Sequence, residues 1–199
     1  MALMTTKEML LKAQREGYAV GAFNAENMEM VQAVIEAAEE MKAPVIIQTT
    51  PGTLNYADPE MFYGMCAAAA QKASVPVALH LDHGNSFEMA ARALKAGYTS
   101  VMIDGSKEEF EANVTLSRRV AEMAHAMGIP VEGELGTVGG KEDNHEVKDS
   151  EKAYTDPEQA GEFAERTGVD SLAVGIGNAH GFYKGDPKLR FDILEGTRK

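Results

Sequence analysis

Two histidines and two carboxylates stand at the ends of apolar runs in this sequence, where they could act together on a bound ion. They are His83, Asp104, Glu134 and His180. A catalytic zinc ion, or a related divalent ion, takes three such nitrogen or oxygen ligands from a protein and keeps one position open. Two histidines so far apart in sequence are a weak metal signal by themselves. Two unrelated loop histidines are therefore the alternative interpretation at this point.

Asp82 stands next to His83 and adds a second kind of chemistry. If residues 76–82 form a strand, the two-residue period places Ala78, His80 and Asp82 on one face. A carboxylate and an imidazole then lie side by side at the carboxyl end of the strand, where parallel α/β folds carry their active sites. The plainer alternative is that Asp82 caps the following helix and His83 is a loop residue. His80 is interpreted as a group inside a barrel or behind the site.

The elements that must position these groups alternate between strand and helix patterns. Apolar runs of strand length are predicted to form strands over 19–23, 44–50, 76–82, 99–105, 130–135 and 171–175. Residues with helical spacing predict helices over 5–16, 27–42, 59–73, 86–96, 106–127, 157–167 and 188–198. Pro51-Gly52 is predicted to be a turn. Ser106 and Glu109 are predicted to form the capping box that opens the long helix.

Six strands that alternate with helices predict a parallel sheet. Polar groups follow six successive strands, and they are Asn24, Thr50, Asp82 with His83, Asp104, Glu134 and His180. Such a distribution favours a barrel over a doubly wound sheet, which gathers its functional residues at one switch point. The predicted fold class is therefore α/β, a (β/α)8 TIM barrel. A complete barrel usually needs ~250 residues, so residues 1–199 are expected to be a single barrel domain of about six units, truncated at the C-terminus.

Composition excludes several classes of protein. The chain has 199 residues and a net charge of −12, which argues against nucleic acid or an anionic membrane as a partner. A hydrophobic content of 44% is ordinary for a soluble domain, and no signal peptide or long apolar run is present, so a cytoplasmic location is expected. Cys66 lies in an apolar helix pattern and is predicted to be buried filler rather than a nucleophile.

The polar segment 136–154 is too long for an ordinary connection and is predicted to be a lid or binding loop. Gly139 and Gly140 lie in it beside Glu142, an acid placed to swing over a site. The stretch 175–181 superficially resembles a dinucleotide fingerprint, but its spacing is wrong and no helix follows at once. Backbone amides near Gly181 could still hold a phosphate.

Two further histidines are assigned no chemistry. His125 lies in a helix pattern and His145 lies in the long polar segment. Both are expected to face solvent.

Five motifs together resemble those of the class II, metal-dependent ketose-bisphosphate aldolases. They lie at 22–24, 81–84, 102–106, 132–136 with 139–143, and 176–181. Their order and spacing span nearly the whole chain, and they are most similar to the fructose- and tagatose-bisphosphate branch. The resemblance implies a (β/α)8 barrel in carbohydrate metabolism and glycolysis. By the same resemblance, the chain is expected to cleave a ketohexose 1,6-bisphosphate to dihydroxyacetone phosphate and glyceraldehyde 3-phosphate.

The resemblance also implies a metal centre. His83 and His180 correspond to zinc ligands, and Glu134 and Asp104 correspond to acids near the metal. A metal ion that acts as a Lewis acid stabilises the enediolate left by carbon–carbon cleavage, so no Schiff-base lysine is required. No lysine stands at a predicted strand end.

The remaining roles are likewise implied by the resemblance. Asp82 would handle the proton of the substrate's C4 hydroxyl, and Glu142 would move the proton on the dihydroxyacetone carbon. Gly181 would help to bind phosphate and a monovalent cation, Na+ or K+. Asn24 and Thr50 correspond to positions that line the substrate site.

One part of the family pattern is not in this sequence. The family's third zinc-binding histidine lies on the strand after the sixth, and the sequence ends at Lys199. The alternatives are a class II aldolase for another phosphorylated ketose or a deoxy-ketogluconate, and an inactive truncated barrel that acts as a structural subunit. A phosphorylated sugar is the expected ligand, and a homo-oligomer, dimer or tetramer, is the expected assembly. The sequence does not decide between fructose and tagatose bisphosphate.

Overall fold

A computed structural model describes residues 3–142, 145–147, 154–183 and 185–198, without the side chains of 141, 142 and 145–147. In this part of the chain the helices are α1 Thr6–Glu16, α2 Met28–Met41, α3 Pro51–Tyr56, α4 Pro59–Lys72, α5 Phe87–Ala96, α6 Phe110–His125, α7 Pro157–Thr167 and α8 Phe191–Thr197. The strands are β1 Gly21–Asn24, β2 Val45–Thr49, β3 Val77–Gly84, β4 Ser100–Ile103, β5 Val131–Leu135, β6 Gly139–Glu142, β7 His145–Val147, β8 Ser171–Val174 and β9 Ala179–His180.

Six parallel strands form one curled sheet in the order β1-β2-β3-β4-β5-β8. Its strand order is the chain order, as in a barrel, and the predicted α/β class with about six barrel units is confirmed. A second, three-stranded sheet has the order β7-β6-β9 and lies within the long polar segment and the turn after β8. None of the helices in the described ranges is long and apolar enough to cross a membrane.

The central strand β3 separates the two faces as its two-residue period predicts. Leu79 and Leu81 are fully buried in the main apolar core, which includes residues of the outer helices. Ala78 belongs to a separate small cluster with Met9 of α1 and Ile46 of β2. The alternate residues of β3 therefore point to the inner face of the curled sheet, and this face continues towards the polar end of the strand.

The turn predicted at Pro51-Gly52 is wrong. Pro51 begins α3, because proline suits the first turn of a helix and the Thr50 side chain accepts a hydrogen bond from the Thr53 amide at 3.3 Å. The local sequence carried this cap signal, but the proline–glycine pair favoured a turn.

The capping box predicted at Ser106 is also wrong. Helix α6 begins at Phe110, with Glu109 in the N-cap position. The Ser106 amide instead donates to Asp104 Oδ1 at 3.0 Å. This contact fixes the side chain of Asp104, the residue that follows β4, at the polar end of the sheet.

Asp170 forms hydrogen bonds to α1, α6 and β5 at the opposite end of the sheet. Its carboxylate accepts hydrogen bonds from Lys7 Nζ at 2.7 Å, from His125 Nε2 at 2.8 Å and from the Val131 amide at 2.9 Å. His125 is exposed to solvent, as expected, and its ring also contacts this carboxylate. Burial raises the pKa of Asp170, but these hydrogen bonds outweigh it and leave the pKa below its ordinary value.

We expect the Asp170→Asn variant to unfold about 1–3 kcal/mol more easily than the unaltered protein at neutral pH, because the three donors lose a charged acceptor. Since the folded-state pKa is depressed, this stabilisation is present above the unfolded-state pKa and disappears as the pH falls through the folded one. Urea unfolding at neutral and acidic pH measures both effects. Asp58→Asn, which removes only an exposed ion pair to Arg92, is the control. A stability difference that grows in acid would contradict the prediction.

Candidate active site

The polar ends of the strands bring together most of the residues that the sequence singles out. The structure places on this edge Asn24 at the end of β1, Thr50 after β2, Asp82 and His83 in β3, Asp104 after β4, Glu134 in β5 and His180 in β9. Side chains that are far apart along the chain therefore share one end of the curled sheet.

His83 is held in place by an irregularity in β3 rather than by a loop. Its φ of 48° lies in the left-handed region, and the pairing of β3 with β4 shifts register between Leu81 and Gly84. The bulge turns the ring so that Nδ1 forms a hydrogen bond with Asp104 Oδ2 at 3.0 Å. Asp104 is itself fixed by the Ser106 amide at 3.0 Å.

Glu134 completes a cluster of possible ion ligands with these two residues. His83 Nδ1 lies 3.7 Å from Glu134 Oε2, and one donor atom from each of His83, Asp104 and Glu134 lies within 4.8 Å of the others. Around a tetrahedral zinc ion with bonds of ~2.0–2.2 Å, two ligand atoms lie ~3.3–3.6 Å apart, so donor atoms as far apart as 4.8 Å would have to move closer to share one ion.

The carboxylate of Glu134 supports this fit independently. Its side chain is only 1% exposed, and neither oxygen has a hydrogen bond of good geometry among the described residues, although the Val138 amide lies close enough to lower the pKa of this carboxyl. Burial, followed by the charge of Asp104, raises the pKa of Glu134 to about 8, although His83 acts in the opposite direction. Buried oxygens of this kind are rare without a ligand, and the chemistry of the donor set suits a divalent cation.

The charges around His83 explain its protonation in the ion-free protein. Burial lowers the pKa of His83, but the hydrogen bond to Asp104 and the charges of Asp82 and Glu134 outweigh it and raise the pKa to about 9. An ion that enters the cluster therefore competes with this proton, and its binding is expected to strengthen as the pH rises.

The Asp104→Asn variant is expected to lower the pKa of His83 from about 9, because the neutral amide removes the largest influence that raises it. NMR titration of the His83 ring protons in the ion-free protein measures this pKa. Asp58→Asn, far from the cluster, should leave it unchanged. A His83 pKa that stays near 9 in Asp104→Asn would contradict the assignment of Asp104 as its main partner.

His180 reaches the same cluster from β9. Its ring centroid lies 5.1 Å from that of His83, and the two rings meet edge to face at 70°. The two imidazoles are thus neighbours, and the interpretation of two unrelated loop histidines does not describe them.

Asp82 lies on the inner face of β3 and is buried. Its Oδ2 accepts a hydrogen bond from Asn24 Nδ2 at 3.2 Å. The alternative that Asp82 caps the next helix is wrong, because Ser86 is the N-cap of α5 and its hydroxyl accepts from the Met89 amide at 3.2 Å. Asp82 therefore lies at the polar edge of the sheet beside Asn24 and not at a helix start.

The other predicted site residues are less closely joined to the cluster. Thr50 is buried and caps α3, and Gly181 is exposed with a φ of 73°. Glu142 ends β6, but its side chain lies outside the described residues, as does that of His145.

The structure shows a network of polar side chains around His80 that the sequence did not predict. His80 is inside the sheet as predicted; its Nδ1 contacts Ser100 Oγ at 2.8 Å, and Thr6 Oγ1 donates to the same hydroxyl at 2.9 Å. His80 Nε2 lies 3.5 Å from Glu132 Oε2. Burial lowers the pKa of His80 to about 3, so the imidazole is neutral.

Glu132 is the residue that sequence reasoning missed. Burial, followed by the charge of Asp82, raises the pKa of Glu132 to about 7. The signal was present, because Glu132 and Glu134 are two residues apart in one strand and must share a face. Cys66, in contrast, is buried as predicted, and burial raises the pKa of its thiol to about 12.

Comparison with known proteins identifies relatives along the whole chain. The profile of a family described as "Fructose-bisphosphate aldolase class-II" matches residues 4–199. A protein from Thermus caldophilus named "Fructose-bisphosphate aldolase" is 53% identical over 183 residues, which are 92% of this chain and 60% of that protein. The chain therefore spans about three fifths of the length of this curated relative.

Two solved structures share the fold. The YdjI aldolase from Escherichia coli K12 superposes with a TM-score of 0.86 at 43% identity, over 98% of this chain and 69% of that one. A putative fructose-1,6-biphosphate aldolase from Coccidioides immitis superposes with a TM-score of 0.87 at 35% identity, over 96% of this chain and 67% of that one.

Proposed function

Since this chain belongs to the class II fructose-bisphosphate aldolase family, we propose that it carries the metal centre for reversible aldol cleavage of a ketohexose 1,6-bisphosphate. The products are dihydroxyacetone phosphate and glyceraldehyde 3-phosphate. The observation that carries the proposal is the cluster of His83, Asp104 and Glu134, with the ring of His180 beside it and Asp82 on the same edge.

We propose His83 and His180 as ligands of a Zn2+ ion, with Asp104 and Glu134 as the acids that receive it. When bound, the ion would supply Lewis-acid stabilisation of the negative charge that cleavage places on the substrate's carbonyl oxygen. The buried carboxylate of Glu134 and the contact between His83 and Asp104 support this assignment, because both offer donor atoms to a cation.

Asp82 is proposed as the base that accepts the proton of the C4 hydroxyl. As that proton leaves, the bond between C3 and C4 breaks, and its electron pair remains on the dihydroxyacetone phosphate half. Asn24 donates to Asp82 Oδ2 at 3.2 Å and so helps to orient this carboxylate. Glu142, on β6, is proposed to return a proton to C3.

Asn24 and Thr50 are proposed to line the substrate site. Gly181 is proposed to bind phosphate through backbone amides, together with a Na+ or K+ ion. Self-association as a dimer or tetramer is part of the same proposal. The choice between fructose and tagatose bisphosphate concerns only the configuration at C4, so it depends on the surroundings of Asp82.

A cleavage assay on both sugar bisphosphates, with and without a strong chelator, tests the proposed function. We expect the chelator to abolish cleavage and added Zn2+ to restore it, while borohydride with substrate leaves the protein active because no Schiff base forms. Full activity in chelator would overturn the metal-dependent mechanism. Turnover only on another phosphorylated ketose would identify a different substrate, and Zn2+ binding without any turnover would indicate a structural subunit.

A further inference from the structure

Strand β6 lies directly against the strand that carries His180. The two strands pair in parallel, with Gly139 opposite Ala179 and Gly140 opposite His180. On its other side β6 pairs with β7 in an antiparallel hairpin. The hairpin that contains Glu142 is therefore built onto the short strand β9.

Gly140 is the residue that permits this close approach. Its φ of 96° lies in the left-handed region. A Cβ atom added here would lie 2.9 Å from the backbone nitrogen of His180 and 3.1 Å from its carbonyl carbon, and closer still to its carbonyl oxygen. Backbone atoms cannot rotate away as the end of a side chain can, so any other residue would push the two strands apart.

A displacement of β9 would act on the metal cluster. The His180 ring meets the His83 ring at a centroid distance of 5.1 Å, and β9 is only two residues long. Among the described residues, β6 is the strand that pairs with β9. Movement of β6 by even a fraction of the strand spacing therefore changes where the His180 nitrogens point.

We infer that Gly140 is a positioning residue for His180, and that ion binding in the cluster and the order of the β6–β7 hairpin stabilise each other. The inference rests on the metal centre of the proposed function. Gly140 contacts neither ion nor substrate through a side chain and acts only through the backbone of His180. Because coupling between two sites is reciprocal, an ion held by His180 must favour the paired hairpin as much as the hairpin favours the ion.

The experiment compares the unaltered protein with Gly140→Ala and a matched control, Gly128→Ala. Gly128 also has a left-handed φ, of 73°, but a Cβ there meets nothing within 4 Å. The control thus carries the backbone strain without the collision. The two readouts are Zn2+ affinity, by competition with a chromophoric chelator, and hydrogen exchange of the amides in 139–142 with and without Zn2+.

In the unaltered protein and in Gly128→Ala, Zn2+ is expected to slow exchange in 139–142. Gly140→Ala is expected to bind Zn2+ at least ~10-fold more weakly, as when a group that orients a ligand is lost, and to show no slowing. Unchanged affinity in Gly140→Ala would overturn the inference. The inference would also be overturned if Zn2+ did not change the hydrogen-exchange rates of 139–142 in the unaltered protein. This second measurement does not require the variant to fold.

The outcomes for the proposed function are separate. If Zn2+ binds and slows exchange in 139–142 but no sugar bisphosphate is cleaved, the proposed function fails and the positioning role of Gly140 stands. If cleavage depends on Zn2+ and Gly140→Ala matches the unaltered protein in both readouts, the positioning role fails and the function stands. An unaltered protein that binds no Zn2+ overturns both.

Discussion

Replacement of Asp82 by asparagine is expected to lower kcat for cleavage by about 10²–10⁴-fold, the usual contribution of a positioned general base. The amide oxygen can still accept the hydrogen bond from Asn24 Nδ2, so the local geometry should persist. What is lost is the ability to accept a proton from the C4 hydroxyl. Zn2+ affinity should change far less, since Asp82 is not part of the cluster of His83, Asp104 and Glu134.

Steady-state kinetics and a Zn2+ titration of the same preparation separate these two effects. Ser86→Ala is the control, because it removes the N-cap of α5 and should cost ~0.5–2 kcal/mol of stability without changing kcat. If Asp82→Asn retained full kcat, the proton acceptor would have to be assigned elsewhere on this edge.

The order of strands and helices could be predicted because its signals are local. Gly17, Gly97 and Gly168 each end a helix in the left-handed conformation, and Asp156 with Pro157 begins one, as the sequence pattern indicates. The strands β6, β7 and β9 of the second sheet were not predicted, since the pattern indicates a loop over 136–154 and no strand after 175. Two other errors arose where a local signal had two meanings. Pro51 suits a turn and a first helical turn equally, and the amide of Ser106 is taken by Asp104 rather than by a helix cap.

The proximity of the candidate site residues could be predicted, but the contacts that support them could not. Polar residues at successive strand ends imply one shared edge, which placed His83, Asp104 and Glu134 together. That argument says nothing about the bulge in β3, which turns the His83 ring, because the bulge depends on pairing with β4. The pairing of Gly140 with His180 is likewise invisible in a sequence, since it joins two short segments through a second sheet.

Removal of the His83 imidazole is expected to have the largest effect on ion binding. In His83→Ala, Zn2+ affinity should fall by more than the ~10–100-fold that follows loss of an orienting partner, because a proposed ligand itself is lost. Cleavage should fall to the uncatalysed background. Competition with a chromophoric chelator and the coupled cleavage assay measure the two quantities, and His125→Ala, at the opposite end of the sheet, is the control.

The same variant has a second consequence in the ion-free protein, and its sign is fixed by the pKa. Because the pKa of His83 is raised to about 9, its charge stabilises the fold fully below the unfolded-state pKa and loses that effect as the pH rises through about 9. Ion-free His83→Ala should therefore be less stable than the unaltered protein near pH ~6, where an unperturbed histidine still titrates. In alkali the two proteins should approach the same stability.

Since Zn2+ and this proton compete for one imidazole, adding Zn2+ should stabilise the unaltered protein most where the proton stabilises it least. Normal Zn2+ binding by the variant would show that His83 does not hold the ion. Ion-free stability equal to that of the unaltered protein at every pH would show that His83 does not balance the charges of Asp104 and Glu134.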